Sequence, residues 1–141
     1  MSQNVPFISG HFSFSDKAYQ YFSNTYSYIT ILRDPIKRWI SQYFFDKYKP
    51  HKFRQIHEDL PTFIQSERGK SHGYQYVQML GGLHPSGEYS SQQAIERAKE
   101  NLHKLEVVGC LEYIDVFMKQ FENRFGVKLK IHRKNQSPKS Q

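Results

Sequence analysis

One cysteine, Cys110, is too few for an internal disulfide, and the paired-cysteine spacings of a zinc site are absent with it. Seven histidines are present, yet none forms a His-x-x-x-His or His-Glu-x-x-His pattern, so no metal cofactor is expected. No apolar run approaches the roughly 20 residues of a membrane span, and residues 1–10 lack the basic and apolar regions of a signal peptide. A cytoplasmic protein is therefore the default expectation. Also missing is any G-x-x-x-x-G-K-[ST] loop for cradling phosphates. Acidic residues are scarce: 13 stand against 20 Lys and Arg, a net charge of +7. With a pI near 9.5, the chain favours anionic partners: nucleotides, sulfated or carboxylated glycans, nucleic acid or acidic membrane surfaces. Charge alone does not choose among them.

With 38% hydrophobic and 16% aromatic residues, a chain of 141 residues can build one core, and two domains are not expected. A short strand over 6–9 leads to His11. The pattern then predicts a helix over 17–22, a buried strand over 28–32 and a helix over 35–45. The basic stretch 47–54 is interrupted by Pro50, and a helix is expected around Pro61 within 56–66. Residues 69–90, rich in Gly, Ser and His, predict mainly loop around a short helix at 74–80. The clearest amphipathic helix spans 91–104, with Ala94, Ile95, Ala98 and Leu102 on one stripe. A short buried strand at 107–110 precedes a helix over 113–125. Its inward residues are Ile114, Phe117, Met118, Phe121 and Phe125, and Gly126 is its stop. Residues 128–132 alternate like a strand or extended arm.

The most informative run is Ile31-Leu32-Arg33-Asp34-Pro35-Ile36-Lys37-Arg38-Trp39-Ile40-Ser41. Asp34 is a good N-cap and Pro35 suits the first helical position, so the chain is expected to pass from strand to helix here. Arg33 then sits at the carboxyl end of the strand, where open α/β sheets bind ligands and a helix N-terminus favours an anion. By 3.6-residue spacing Asp34, Lys37, Arg38 and Ser41 share one helix face, and Ile36, Trp39, Ile40, Tyr43 and Phe44 supply the apolar side. An ordinary capped helix with a solvated basic face accounts for the same residues.

This run resembles the nucleotide-binding segment of sulfotransferases that use 3'-phosphoadenylyl sulfate, in particular the carbohydrate family of heparan sulfate 2-O- and 6-O-sulfotransferases. The family's order of Leu-Arg-Asp-Pro, Arg, Ser and an aromatic stands here as Leu32-Arg33-Asp34-Pro35, Arg38, Ser41 and Tyr43. Gly10-His11-Phe12 resembles the family's Gly-His element, residues 75–82 its Gln-containing segment, and residues 94–126 its helix, Val-Val-Gly strand and second helix. Arg133 to Lys139 resemble its late Asn-x-Ser loop.

The resemblance implies an α/β, P-loop nucleotide-binding fold of the sulfotransferase type, three-layered, with a small parallel sheet flanked by helices. It implies that Arg33 and Ser41 bind the donor's 3'-phosphate, with Arg133 and Ser137 as further donor-site candidates. The donor would be 3'-phosphoadenylyl sulfate and the product adenosine 3',5'-bisphosphate. His11 would be the catalytic base, taking a proton from the hydroxyl of a carbohydrate acceptor. Eukaryotic members of the family are Golgi membrane proteins. The family's Lys-containing loop around the 5'-phosphosulfate has no counterpart in residues 1–9, so residues 1–141 are expected to form one sulfotransferase-like domain, N-terminally truncated. The missing loop would then come from a partner chain or a second copy.

Other readings of the residues stay open. From the residues without the resemblance, His11 reads as a strand-end histidine bonded to backbone, and 133–141 as a disordered basic tail. Lys49, His51, Lys52 and Arg54 read as a solvated basic loop or as the lining of an acidic-acceptor groove. The whole chain reads as a non-catalytic remnant binding nucleotide or a partner, or as a basic module for acidic polymers; nucleic acid is not expected, because most aromatics fall at core spacing.

Overall fold

A computed structural model of the protein describes residues 8–82 and 88–130. The elements are α1 (Asp16–Phe22), β1 (Ile29–Leu32), α2 (Pro35–Tyr48), α3 (Leu60–Gln65), α4 (Glu67–Gly73), α5 (Gln75–Gly81), α6 (Gln92–His103), β2 (Val107–Cys110) and α7 (Ile114–Phe125). A 3₁₀ turn, Leu111–Tyr113, joins β2 to α7. The fold is mixed α/β and mostly helical among the described residues, with β1 and β2 forming a two-stranded parallel sheet.

Local chemistry explains most element starts. Ser15, Asp34, Asp59, Ser66 and Ser91 each accept a backbone N–H from the first turn of the helix that follows. Gly126 ends α7 in the left-handed conformation at φ 69°, which costs a residue without Cβ little. The parallel pair has a long-range origin. Its register runs from Ile29 opposite Val107 to Leu32 opposite Cys110, and the whole crossover α2–α6 lies between the two strands.

One core cluster joins Tyr43 of α2, Ile56 and Phe63 of α3, with Trp39 and Leu60 packed against it. A second contact seats Phe117 of α7 over Gly109 of β2. The α5–α6 pair is pinned by the buried Asn101, whose side-chain amide donates to the Leu80 carbonyl at 2.8 Å.

Four expectations need correction. The first strand is only half-buried: α7 lies on β2 and leaves Ile31 of β1 42% exposed. Of the expected apolar side of α2, Trp39 and Tyr43 pack inward, while Ile36, Ile40 and Phe44 face solvent. Residues 69–81 are largely helical. Ser66 caps α4, and α5 packs on α6, so tertiary contacts offset the helix cost of the glycines. Lys49 is no solvated loop lysine; it is buried, with its ammonium 2.8 Å from the buried Asp46 carboxylate.

The segment over 128–130 is not in a strand, and 131–132 and 6–7 lie outside the described residues. No helix among the described residues is long and apolar enough to cross a membrane.

Candidate functional site

Beyond the carboxyl ends of β1 and β2 lies an open groove of about 450 Å³, bordered by Leu32, Arg33, Lys37, Cys110, Glu112 and Tyr113. Its two walls come from the two strand ends. Arg33 follows β1 directly, and Asp34 caps α2 by accepting the Lys37 N–H at 2.9 Å. Glu112 follows β2 in the 3₁₀ turn.

Continuing the parallel register past Leu32 and Cys110 sets Asp34 opposite Glu112. The carboxylate accepts the Asp34 N–H at 3.1 Å and the Cys110 thiol at 2.9 Å, and its other oxygen lies 3.6 Å from Arg33 Nε. The thiol donor, working against partial desolvation and with the Asp34 N–H, holds the Glu112 carboxyl down at about 2. Glu112 is thus a fixed negative charge over the physiological range.

Arg33 is held from the other side by Tyr76 of α5. The Tyr76 hydroxyl accepts the Arg33 N–H at 2.8 Å and donates to the Arg33 carbonyl at 2.9 Å. The same ring carries the Arg38 guanidinium 5.0 Å from its centroid. Burial pulls Arg38 below its ordinary value, with Tyr76 opposing, but an arginine stays protonated at neutral pH.

The Arg33 side chain is 38% exposed, and its terminal nitrogens have no hydrogen-bond partner among the described residues. A guanidinium fork is therefore open toward the groove, with exposed Lys37 nearby. That arrangement can take an anionic oxygen group on the side of Arg33 away from Glu112.

The remaining candidates are less closely gathered. Ser41 is half-buried on α2, on the face of Asp34 and Arg38. It lies ~10 Å along the axis from Asp34 at the helical rise, and no hydrogen bond joins it to Arg33 among the described residues. One anion bridging the two requires Arg33 to extend along α2 instead of toward Glu112. His11 is exposed in irregular chain and makes no hydrogen bond among the described residues. Three residues on, the Phe14 N–H donates to Met79 of α5 at 2.6 Å, which ties this segment to the helix that carries Tyr76. Arg133 and Ser137 lie outside the described residues. Among the described residues no group of three or more His, Cys, Asp or Glu is placed to hold a metal ion.

Sequence reasoning missed Tyr76 and Glu112. The signal for Glu112 was its place just beyond the second strand, matching that of Arg33 beyond the first. It becomes readable only once the two strands are known to pair. Compared with protein families, characterised proteins and solved structures, the chain has no match.

Proposed function

We propose that this chain is a sulfotransferase-like protein that receives the 3'-phosphate of a 3'-phosphoadenylyl nucleotide at the ends of β1 and β2. The fold that goes with this role is the P-loop nucleotide-binding type, to which a parallel pair with flanking helices is suited. The observation that carries it is the open Arg33 fork at the carboxyl end of a parallel strand, directly before a helix capped by Asp34.

In this role Arg33 turns from Glu112 along α2 and grips two phosphate oxygens, and the Ser41 hydroxyl serves a third, with Arg133 and Ser137 as further contacts. His11, as neutral imidazole, accepts the proton of a carbohydrate hydroxyl as that oxygen bonds to sulfur. The bond from sulfur to the bridging phosphate oxygen breaks, giving a sulfate ester and adenosine 3',5'-bisphosphate. Transfer also needs donors around the 5'-phosphosulfate, each worth about 10²–10³ in rate.

Calorimetric titration with adenosine 3',5'-bisphosphate, against ADP as the nucleotide lacking the 3'-phosphate, tests the role. Selective binding that Arg33→Ala weakens at least roughly tenfold supports it. Equal affinity for the two nucleotides, or binding of neither, overturns it.

A second reading, a non-catalytic chain that packs on a partner, draws on Ile36, Ile40, Phe44 and Tyr48. They stand at four-residue spacing along α2 and are all exposed. A monomer by sedimentation at high concentration would remove a second copy as that partner.

A further inference from the structure

Arg33 lies one residue past the last paired position of β1, so its backbone N–H and carbonyl have no partner in the sheet ladder. A single side-chain hydroxyl takes both, because Tyr76 Oη accepts from the N–H and donates to the carbonyl. This stands in for a neighbouring strand at the one residue where the chain leaves the sheet for α2. The hydroxyl is placed by α5, which is itself fastened to α6 through Asn101 and Leu80.

The face of the same ring is used as well, since Arg38 stacks over it at 5.0 Å. One tyrosine therefore sets the backbone of Arg33 through its hydroxyl and the guanidinium of Arg38 through its π face. Arg38 lies on α2 one turn beyond Asp34, and the Arg38 N–H donates to the Asp34 carbonyl at 2.8 Å.

We infer that Tyr76 is a positioning residue that couples Arg33 and Arg38 into one site for a dianionic phosphate monoester. The inference rests on the nucleotide role proposed above and adds a second cation and the group that aligns it with the first. A phosphate monoester near neutral pH carries between one and two negative charges and three acceptor oxygens, so the Arg38 guanidinium stacked on Tyr76 and an Arg33 guanidinium carried on a fixed backbone complement it better together than either does alone. Fixing the backbone matters because a loose strand end would lose its φ/ψ freedom only on binding.

Tyr76→Phe is the test, since it keeps the ring under Arg38 and removes only the two hydrogen bonds to Arg33. Calorimetry should show affinity for adenosine 3',5'-bisphosphate falling about tenfold, with ADP affinity little changed. In an Arg33→Ala background the same substitution should add no further loss, whereas a merely structural role would subtract equally in both backgrounds.

Wild-type discrimination between the nucleotides, retained in Tyr76→Phe, overturns the positioning role and leaves the nucleotide site standing. No discrimination by the wild type overturns both. Should Tyr76→Phe fail to fold, amide hydrogen exchange on the wild type decides. The Arg33 amide is expected to exchange at least about tenfold more slowly with adenosine 3',5'-bisphosphate than with ADP, and equal rates overturn the inference.

Discussion

Glu112 and Arg33 face each other across the open end of the parallel pair, with carboxylate oxygen and guanidinium Nε 3.6 Å apart. At that separation the contact is an ion pair and not a hydrogen bond, and Arg33 Nε has no hydrogen-bond partner among the described residues. The pair is loose on the Arg33 side and firm on the Glu112 side, where Asp34 and Cys110 both donate. An anion entering the groove therefore competes for a guanidinium that is oriented but not saturated.

Glu112 is expected to make stability depend on acid. Its carboxyl sits at about 2, below the ordinary 4.5, so the native state binds fewer protons there than the unfolded chain. Its contribution is complete above about pH 4.5 and is lost as pH falls toward 2. Urea midpoints measured across this range should fall more steeply for the wild type than for Glu112→Gln. Parallel profiles would mean the carboxylate is not engaged in solution.

Arg33→Ala should leave the fold intact, because the side chain is partly exposed and contributes no core contact. Charge-assisted hydrogen bonds of this type are worth about 1.5–3 kcal/mol, so affinity for adenosine 3',5'-bisphosphate should drop at least roughly tenfold. Arg33→Lys should recover only part, since an ammonium cannot present the planar fork. Circular dichroism beside calorimetry separates lost binding from lost fold.

Gly109→Ala tests the seat of α7 on β2. A Cβ at this position would lie 2.3 Å from Phe117 Cδ2, and the Phe117 ring is buried. Overpacking of this kind costs about 1–3 kcal/mol, read as a lowered denaturation midpoint. Combining it with Phe117→Leu should return part of the loss, and strictly additive effects would show that the two do not touch in solution.

Asp46→Asn should be among the most damaging single changes. Burial alone would raise the Asp46 carboxyl, but the hydrogen bonds from Gln42 and Lys49 and the charges of Lys49 and Arg68 pull it below its ordinary value. Removing the charge leaves the buried Lys49 ammonium uncompensated, at a cost of about 3–5 kcal/mol. The double variant Asp46→Asn with Lys49→Met is expected to regain most of that stability. Thermal melts of the three proteins check the order.

What could be read from residues alone was the chemistry that acts within a few positions. Asp34 and Pro35 start α2, Ser91 starts α6 and Gly126 stops α7, because caps and stops are contacts made within one turn. The bounds of β2 were equally legible, since Val107 to Cys110 is an apolar run between two strong helices. The Arg33 candidate followed from the same local grammar, an arginine between a strand end and a cap.

The tertiary structure decided what stands across from these residues. Pairing β1 with β2 in register brought Glu112 to Asp34 and Arg33, and packing α5 on α6 brought Tyr76 beneath Arg38 and against the Arg33 backbone. It also drew residues 67–81 into helices and buried Lys49. Local spacing carries no information about such partners, because they are chosen by burial and hydrogen-bond satisfaction between segments far apart in the chain, which must repay the entropy of closing the long loop between them.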